Sequence, residues 1–229
     1  MTQYLCIDLE TGITEGYGRK GNPWLNPIIA IGLCQAKRTT TLYYTDTAAC
    51  SKWWTYLQSI ETLVGHNIKF DLLYLWKQPW LQDWIKQGGK IYDTQLAEYI
   101  LTGQQAKFAA LRKIAVEKYG CKEREKKMEK YWEQGIDTKD IPKELVLEDV
   151  TWDVLDTEAI YLQQLQKAKE LGMTKLIELQ NDALLATCEM EANGLKVNPE
   201  ILRNNAKVLR KNLDDAKIEL HTIVERYWK

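Results

Sequence analysis

The segments of this 229-residue chain that have the residue pattern of β-strands all lie before residue 95. Helical periodicity dominates from Lys107 to the end of the chain. Strands with helices between them, followed by helices alone, predict an α/β fold with a mixed sheet and an α-helical C-terminal extension. The runs that predict strands begin at Tyr4, Ile28, Thr39, Thr62 and Lys90.

Turn and capping residues delimit several of these elements. Lys37-Arg38 separate the second and third runs, which predicts an antiparallel hairpin. Thr47 can cap a helix that continues to about Ile60, and another helix is predicted from Asn67. The sheet is therefore expected to have helices interposed between its later strands.

The last helix is predicted to begin at Pro199, after Gly194 ends the preceding one and Asn198 provides a cap. Its apolar residues alternate at spacings of four and three, a heptad seam that needs a partner. Either the helix continues in a longer parent protein or pairs with another chain, or it is an amphipathic helix that folds back on residues 176–193. The seam comprises Leu202, Ala206, Leu209, Leu213, Ala216, Leu220, Ile223 and Tyr227.

Composition and charge limit the remaining possibilities. The formal net charge of −1 argues against indiscriminate coating of nucleic acid, although not against a local groove. The basic segment 107–130 is either a solvated helix face or a phosphate-contacting surface. Five scattered cysteines without a CxxC pair favour a reducing, cytoplasmic setting. No leader pattern or apolar run of membrane-spanning length is present in the sequence, so no membrane partner is predicted.

Two carboxylates end the first predicted strand, in the stretch YLCIDLETG. Asp8 and Glu10 are two residues apart, so their side chains project from the same face of the strand. Such a pair is either solvated at the strand end or brought together by a cation or a shared proton, because two adjacent negative charges repel. The rest of the sequence has to decide between these interpretations.

Further acids occur at helical spacing. Asn67 and Asp71 in HNIKFD are four residues apart, and so are Trp152 and Asp156 in WDVLD, which predicts that each pair shares one helix face. Pairs of this kind are common on any helix surface, whereas their combination and order with Asp8 and Glu10 are not.

In this order, the residues resemble the motifs of DEDD-type 3′-to-5′ exonucleases, and within them the proofreading exonuclease domain of family A DNA polymerases. DLET resembles the first motif, HNIKFD the second motif N-x-x-x-F-D, and WDVLD occupies the place of the third motif, Y-x-x-x-D. IYDTQLAEYIL is similar to a segment between the second and third motifs, and LIELQNDALLATCEMEANGLKVNPEIL to the connection that enters the polymerase thumb. The resemblance implies an RNase H-like exonuclease domain over 1–170 and a helical extension, the start of the thumb, over 171–229.

The resemblance also implies the chemistry and its residues. Two divalent cations, Mg²⁺ or Mn²⁺, about 4 Å apart would generate hydroxide and stabilise the leaving oxygen during phosphodiester hydrolysis. Asp8 would bridge the cations, Glu10 and Asp156 would complete the site that activates water, and Asp71 would hold the second cation. The residues expected to orient the site or contact substrate are Asn67, Thr11 and Phe70.

One position departs from the family pattern. The third-motif tyrosine is replaced by Trp152, whose indole can donate but not accept a hydrogen bond, so metal binding should survive while orientation of the nucleophile changes.

The expected activity is removal of nucleotides from single-stranded or frayed DNA 3′ ends during replication, without polymerase activity in this chain. The remainder of the polymerase would be joined in cis or as a split partner, in a bacterial host cytoplasm if the source is a phage. The alternatives are an RNA 3′-to-5′ exonuclease and a catalytically silent domain that binds single strands or serves as a scaffold.

Overall fold

The computed structural model describes residues 3–13, 22–43, 57, 59–104, 108–125 and 127–227. A five-stranded sheet has the order β3-β2-β1-β4-β5. Its strands are β1 (Tyr4–Thr11), β2 (Ile28–Gln35), β3 (Arg38–Tyr43), β4 (Thr62–Gly65) and β5 (Lys90–Asp93). β1 pairs antiparallel with β2 and parallel with β4, and β4 pairs parallel with β5, so the predicted mixed sheet is confirmed.

The helices described are α1 (Lys69–Leu75), α2 (Pro79–Lys86), α3 (Thr94–Leu101), α4 (Leu111–Tyr119), α5 (Lys127–Glu133), α6 (Lys143–Glu170), α7 (Thr174–Asn193) and α8 (Pro199–Tyr227). None of the helices in the described ranges is both long and apolar enough to cross a membrane. The helix predicted from Thr47 to about Ile60 lies almost entirely outside the described residues.

Alternation along β1 explains why helices cover both faces of the sheet. Leu5, Ile7 and Leu9 point to a core that includes residues of α1, α2 and α7. Cys6 lies in a second core together with Val154 of α6. Because side chains alternate along a strand, Asp8 and Glu10 belong to the face that α6 covers.

The hairpin between β2 and β3 closes through a tight two-residue turn. Ala36 and Lys37 both have positive φ angles, 52° and 62°, which match the primed turn that the twist of a hairpin favours. The backbone N–H of Lys37 donates to Glu158 Oε2 over 2.8 Å, and the hydroxyl of Tyr4 donates to Glu158 Oε1 over 2.8 Å. A carboxylate of α6 thus fixes the turn and helps to hold the helix on the sheet.

A glycine allows α6 to lie close to the sheet. A Cβ atom added to Gly32 of β2 would lie 2.7 Å from Val150 Cγ2 and 2.7 Å from the Val150 carbonyl oxygen. Val146, Val150 and Val154 are fully buried and follow one another at four-residue spacing, so they form the face of α6 that packs against the strands. Gly32 pairs directly with Asp8, which brings α6 close to the first carboxylate.

The chain divides into two compact units, residues 1–192 and 193–229. The first unit includes α7, because Ile177, Asn181 and Cys188 of this helix are buried. The division therefore falls at the last residue of α7. The predicted assignment of 1–170 to an exonuclease domain and of 171–229 to a helical extension stays a prediction. In the second unit α8 has no buried residue.

The ends of the last two helices follow the capping pattern. Gly194 has a φ angle of 66° and follows the last residue of α7. The side chain of Asn198 accepts hydrogen bonds from the backbone N–H groups of Glu200 and Ile201 over 3.0 and 3.2 Å. The predicted start of α8 at Pro199 is confirmed.

Candidate metal centre

The strands β1, β4 and β5 are parallel, and acidic residues lie toward their carboxyl ends. Asp8 pairs with Gly32 of β2, and Glu10 pairs with Ala30. The register shifts after Glu10, so that Thr11 pairs with Ile28. This irregularity next to the two acids resembles the bulges that re-aim side chains beside active sites. Glu10 is only 9% exposed, so the interpretation of two freely solvated acids is wrong.

The third member of the acidic group comes from α6. Carboxylate oxygens of Asp8, Glu10 and Asp153 lie within 4.8 Å of one another, the one group of three or more candidate metal ligands in the described part of the chain. The sequence predicts Asp156 in this place. Asp156 lies three residues further along α6, and its carboxylate is paired with the guanidinium of Arg124, with an Nη1 to Oδ1 distance of 3.3 Å.

The position of Asp153 on α6 explains its proximity to the acids of β1. Asp153 lies about 60° around the helix from Val150, which is fully buried against the sheet, so its carboxylate can reach those of Asp8 and Glu10. Trp152 is 40% exposed, and Arg124 Cζ lies 4.6 Å from the centre of its ring. The residue pair predicted as the third motif therefore contacts Arg124, and Asp153 joins the acids of β1.

Asp71 approaches the same strand from α1. It is buried, and its Oδ1 accepts a hydrogen bond from the backbone N–H of Leu9 over 3.0 Å, between the two acids of β1 in sequence. The pKa of Asp71 is raised by burial and by the charge of Asp8. The structure thus brings Asp71 within electrostatic reach of Asp8, as its predicted role requires.

Asn67 does not share a helix face with Asp71, contrary to the prediction. α1 begins at Lys69, and Asn67 precedes it with a φ angle of 59° in the left-handed region. The reason is a competing contact, because the backbone N–H of Asn67 donates to Asp93 Oδ1 over 3.1 Å. The side chain of Asn67 is exposed, and its role in substrate binding stays a prediction.

Burial and mutual repulsion shift the titration of the acids. Burial raises the pKa values of Asp8 and Glu10 well above the ordinary range, and neighbouring carboxylates, including Asp153 and Asp149, raise them further. Burial also raises the pKa of Asp153, to about 6. A group of partly buried carboxylates in which each disfavours ionisation of the others is a site that a multivalent cation would stabilise.

Two arginines contact the acids of α6. Arg112, in the first turn of α4, is paired with Asp149 and also donates from Nε to Asp153 Oδ1 over 3.3 Å. Arg124 is paired with Asp156. Neither arginine is predicted as a site residue from the sequence, because both lie far from Asp8 along the chain and only tertiary packing places them here.

Two cavities border members of the acidic group. One of about 260 Å³ is lined by Glu10, Thr11 and Phe70, among other residues, so two of the predicted substrate contacts lie together beside one of the acids. A second cavity, of about 520 Å³, is lined by Arg112, Arg124 and Asp153, among others. The acidic group is therefore flanked by space that a ligand could occupy.

His66, next to Asn67, has structural contacts. Its Nδ1 lies 2.9 Å from Thr94 Oγ1, and its Nε2 lies 3.0 Å from the carbonyl oxygen of Ala109. Burial lowers its pKa to about 4. Both ring nitrogens are engaged, so the histidine links β4 to α3 and to the segment before α4.

No protein-family model and no curated protein matches the chain, but solved structures resemble it. NrnC from Brucella melitensis is 18% identical, covers 84% of this chain and 87% of its own, and has a TM-score of 0.61. The catalytic core of RRP6 from Trypanosoma brucei is 16% identical, with 80% and 46% covered and a TM-score of 0.55. The family B DNA polymerase from Pyrobaculum calidifontis is 17% identical, with 72% and 25% covered and a TM-score of 0.50.

These likenesses define the class of fold. The chain has an RNase H-like fold, with a mixed five-stranded sheet flanked by helices and a helical C-terminal region. The predicted fold class is confirmed. The predicted origin in a family A polymerase is a finer statement and stays a prediction.

Proposed function

We propose that the chain is a divalent-metal-dependent 3′-to-5′ exonuclease. The observation that carries the proposal is the group formed by Asp8, Glu10 and Asp153, whose carboxylate oxygens lie within 4.8 Å of one another in an RNase H-like fold. Hard oxygen ligands of this kind suit Mg²⁺ or Mn²⁺. A structure of NrnC, 16% identical and with a TM-score of 0.57, has bound Mg²⁺, which supports a divalent cation here.

Four acidic residues are the proposed metal ligands. Asp8, Glu10 and Asp153 would hold the cations, with Asp71 as a further ligand that its bond to the Leu9 N–H keeps in place. Asp153 takes the role that the sequence assigns to Asp156. Bound divalent cations would activate a water molecule and stabilise the leaving oxygen of the phosphodiester.

The substrate would enter beside Glu10. Thr11 and Phe70 line the cavity of about 260 Å³ there, so an aromatic ring and a hydroxyl lie where a terminal nucleotide could stack and hydrogen-bond. Contacts of this kind tolerate every base, because each base offers a π-face. We therefore expect little sequence preference.

The nature of the strand is the finer part of the proposal. A DNA 3′ end is supported by the resemblance of residues 171–229 to the segment that enters a polymerase thumb, and this arrangement would make the chain the proofreading part of a family A polymerase. RNA is supported to a comparable degree, because the structural neighbours include NrnC, one structure of which is bound to pGG, and RRP6 as well as a DNA polymerase. The two substrates are separated by experiment.

The test is degradation of 5′-labelled single-stranded DNA and RNA of one sequence, with Mg²⁺, with Mn²⁺ and with chelator. The Asp8→Ala/Glu10→Ala double variant serves as the inactive control. Asp153→Asn is expected to abolish cleavage, whereas Asp156→Asn should retain it.

Each outcome decides between alternatives. A metal-dependent ladder that shortens from the 3′ end, and is absent in the double variant, supports the exonuclease, and the stronger substrate identifies DNA or RNA. Loss of activity in Asp156→Asn with retention in Asp153→Asn would restore the ligand set expected from the sequence. Intact substrate in every reaction, with the protein folded, would favour a silent domain that binds single strands.

A further inference from the structure

A guanidinium lies against the acids of the candidate metal centre. Arg112 is paired with Asp149 and donates from Nε to Asp153 Oδ1 over 3.3 Å, and the contact with Asp149 is the shorter of the two. The side chains of Asp149 and Asp153 are only 14% and 17% exposed. A planar guanidinium can bridge two carboxylates in this way, which a lysine ammonium cannot reproduce.

Arg112 also lies beside the acids of β1. Asp153, one of the two acids that Arg112 contacts, belongs to the group in which carboxylate oxygens of Asp8, Glu10 and Asp153 lie within 4.8 Å of one another. Arg112 therefore places a positive charge next to the acids that would hold a cation.

We propose that Arg112 is a positioning residue that holds Asp153 in the metal-free protein and releases this carboxylate to an incoming divalent cation while it keeps its contact with Asp149. The proposal rests on the proposed function, because it assumes that Asp153 is a metal ligand. Arg112 and the cation compete for one carboxylate and repel each other. Arg112 should therefore weaken cation binding and keep the acids in place until a cation arrives.

The space around Arg112 permits its guanidinium to move away from Asp153. Arg112 and Asp153 both line the cavity of about 520 Å³, so the guanidinium has open space beside it when it leaves Asp153. Arg124 lines the same cavity but is paired with Asp156, which lies outside the group of three carboxylates. Arg124 is consequently a matched control, since its replacement also removes one positive charge next to an acid of α6.

The experiment measures Mn²⁺ affinity by calorimetry at about pH 7.5 without nucleic acid. R112Q should bind Mn²⁺ about tenfold more tightly than wild type, because a competing charge is removed. R124Q should stay within about twofold of wild type. R112K, which keeps the charge but cannot bridge both acids, should fall between wild type and R112Q. Circular dichroism and thermal unfolding verify that each variant is folded.

A double-mutant cycle tests the part assigned to Asp149. If Asp149 keeps Arg112 away from the cation, D149N should weaken Mn²⁺ binding in the wild-type background and have a smaller effect in R112Q. Equal effects in both backgrounds would reject this part, since they would reflect the charge of Asp149 alone.

The failures can be distinguished. A folded wild-type protein that binds no Mn²⁺ overturns the proposed metal centre itself. Wild-type binding with unchanged or weaker affinity in both R112Q and R112K overturns the role of Arg112 and leaves the metal centre standing. An equal gain in R124Q and R112Q would also reject the role, because it would show a general effect of removing positive charge.

Discussion

Replacing Asp153 by asparagine should stabilise the metal-free protein and at the same time remove its response to divalent cations. Burial raises the pKa of Asp153 from 3.8 to about 6. The folded protein therefore binds the proton of Asp153 more tightly than the unfolded chain does. This contribution to stability is fully present below about pH 4 and is lost as the pH rises toward 6.

The magnitude follows from the two pKa values. The difference between them corresponds to roughly 3 kcal/mol. The free energy of unfolding is lower by this amount when Asp153 is fully ionised than when it is protonated. Asparagine cannot ionise, and the pKa of about 6 already includes the opposing effect of the charge and hydrogen bond of Arg112. We therefore expect Asp153→Asn to raise the free energy of unfolding by about 1–3 kcal/mol at neutral pH and to change it little near pH 4.

The assay is urea unfolding followed by circular dichroism between about pH 4 and pH 8, in chelator and in Mn²⁺. Mn²⁺ should stabilise wild type increasingly as the pH rises, because ligands must be deprotonated, and should leave Asp153→Asn almost unchanged. Asp156→Asn is the control with the opposite sign. It removes the partner of Arg124 and should lower metal-free stability by about 1–3 kcal/mol.

Two results would refute this reasoning. A metal-free Asp153→Asn variant that is less stable than wild type at neutral pH would mean that the bond to Arg112 outweighs the ionisation penalty. Full stabilisation of the same variant by Mn²⁺ would mean that Asp153 is not a ligand, even if the metal centre exists.

Other substitutions test the parts of the fold that hold the site. Gly32→Ala should cost about 1–3 kcal/mol in urea unfolding and weaken Mn²⁺ binding, because its Cβ would overlap Val150 and move α6 away from β1; unchanged stability and affinity would contradict this. Asp93→Ala removes the acceptor of the N–H groups of Gln95 and Leu96 and should cost about 2 kcal/mol in the same assay, whereas a neutral result would reject the capping role. Trp152→Tyr should keep Mn²⁺ affinity within about twofold in calorimetry, because Trp152 is 40% exposed and contacts Arg124, and loss of binding would place it at the metal.

Much of the sheet was predictable from the sequence because its strands are short apolar or β-branched runs between turn residues. Asp8 and Glu10 were predictable as a pair because side chains alternate along a strand, so residues two apart lie on the same face. The αL conformation of Asn67 was not predictable from local spacing. It depends on a hydrogen bond to Asp93, which arrives from the neighbouring strand β5.

For the acid that α6 contributes, the resemblance and the structure favour different residues. Asp149, Asp153 and Asp156 follow at spacings of four and three, so all three lie on one side of α6. The aromatic residue at 152 favoured Asp156 through resemblance to Y-x-x-x-D. With about 100° per residue, Asp153 lies roughly 60° from the centre of the buried valine stripe and Asp156 roughly 120°. The stripe therefore places Asp153 closer than Asp156 to the strands that carry Asp8 and Glu10.

The arginines could not be found in this way, because their contacts join α4 and the segment after it to α6 over long sequence separations. Arg112 is 37 residues from Asp149, and Arg124 is 32 residues from Asp156. The basic segment 107–130, for which a solvated helix face and a phosphate-contacting surface were both open, has a third role here. Two of its arginines, Arg112 and Arg124, pair with acids of α6, and only Arg112 also contacts an acid of the candidate metal centre.

α6 therefore combines requirements that oppose each other. Its valine stripe must approach Gly32 closely, and this approach buries Asp153 beside Asp8 and Glu10, where ionisation is unfavourable. On its other flank Glu158 fixes the β2–β3 turn, so the helix cannot retreat from the sheet without losing those hydrogen bonds. A helix anchored in this way can keep three carboxylates together before any cation binds, and the free energy stored in their repulsion becomes part of the affinity for the cation.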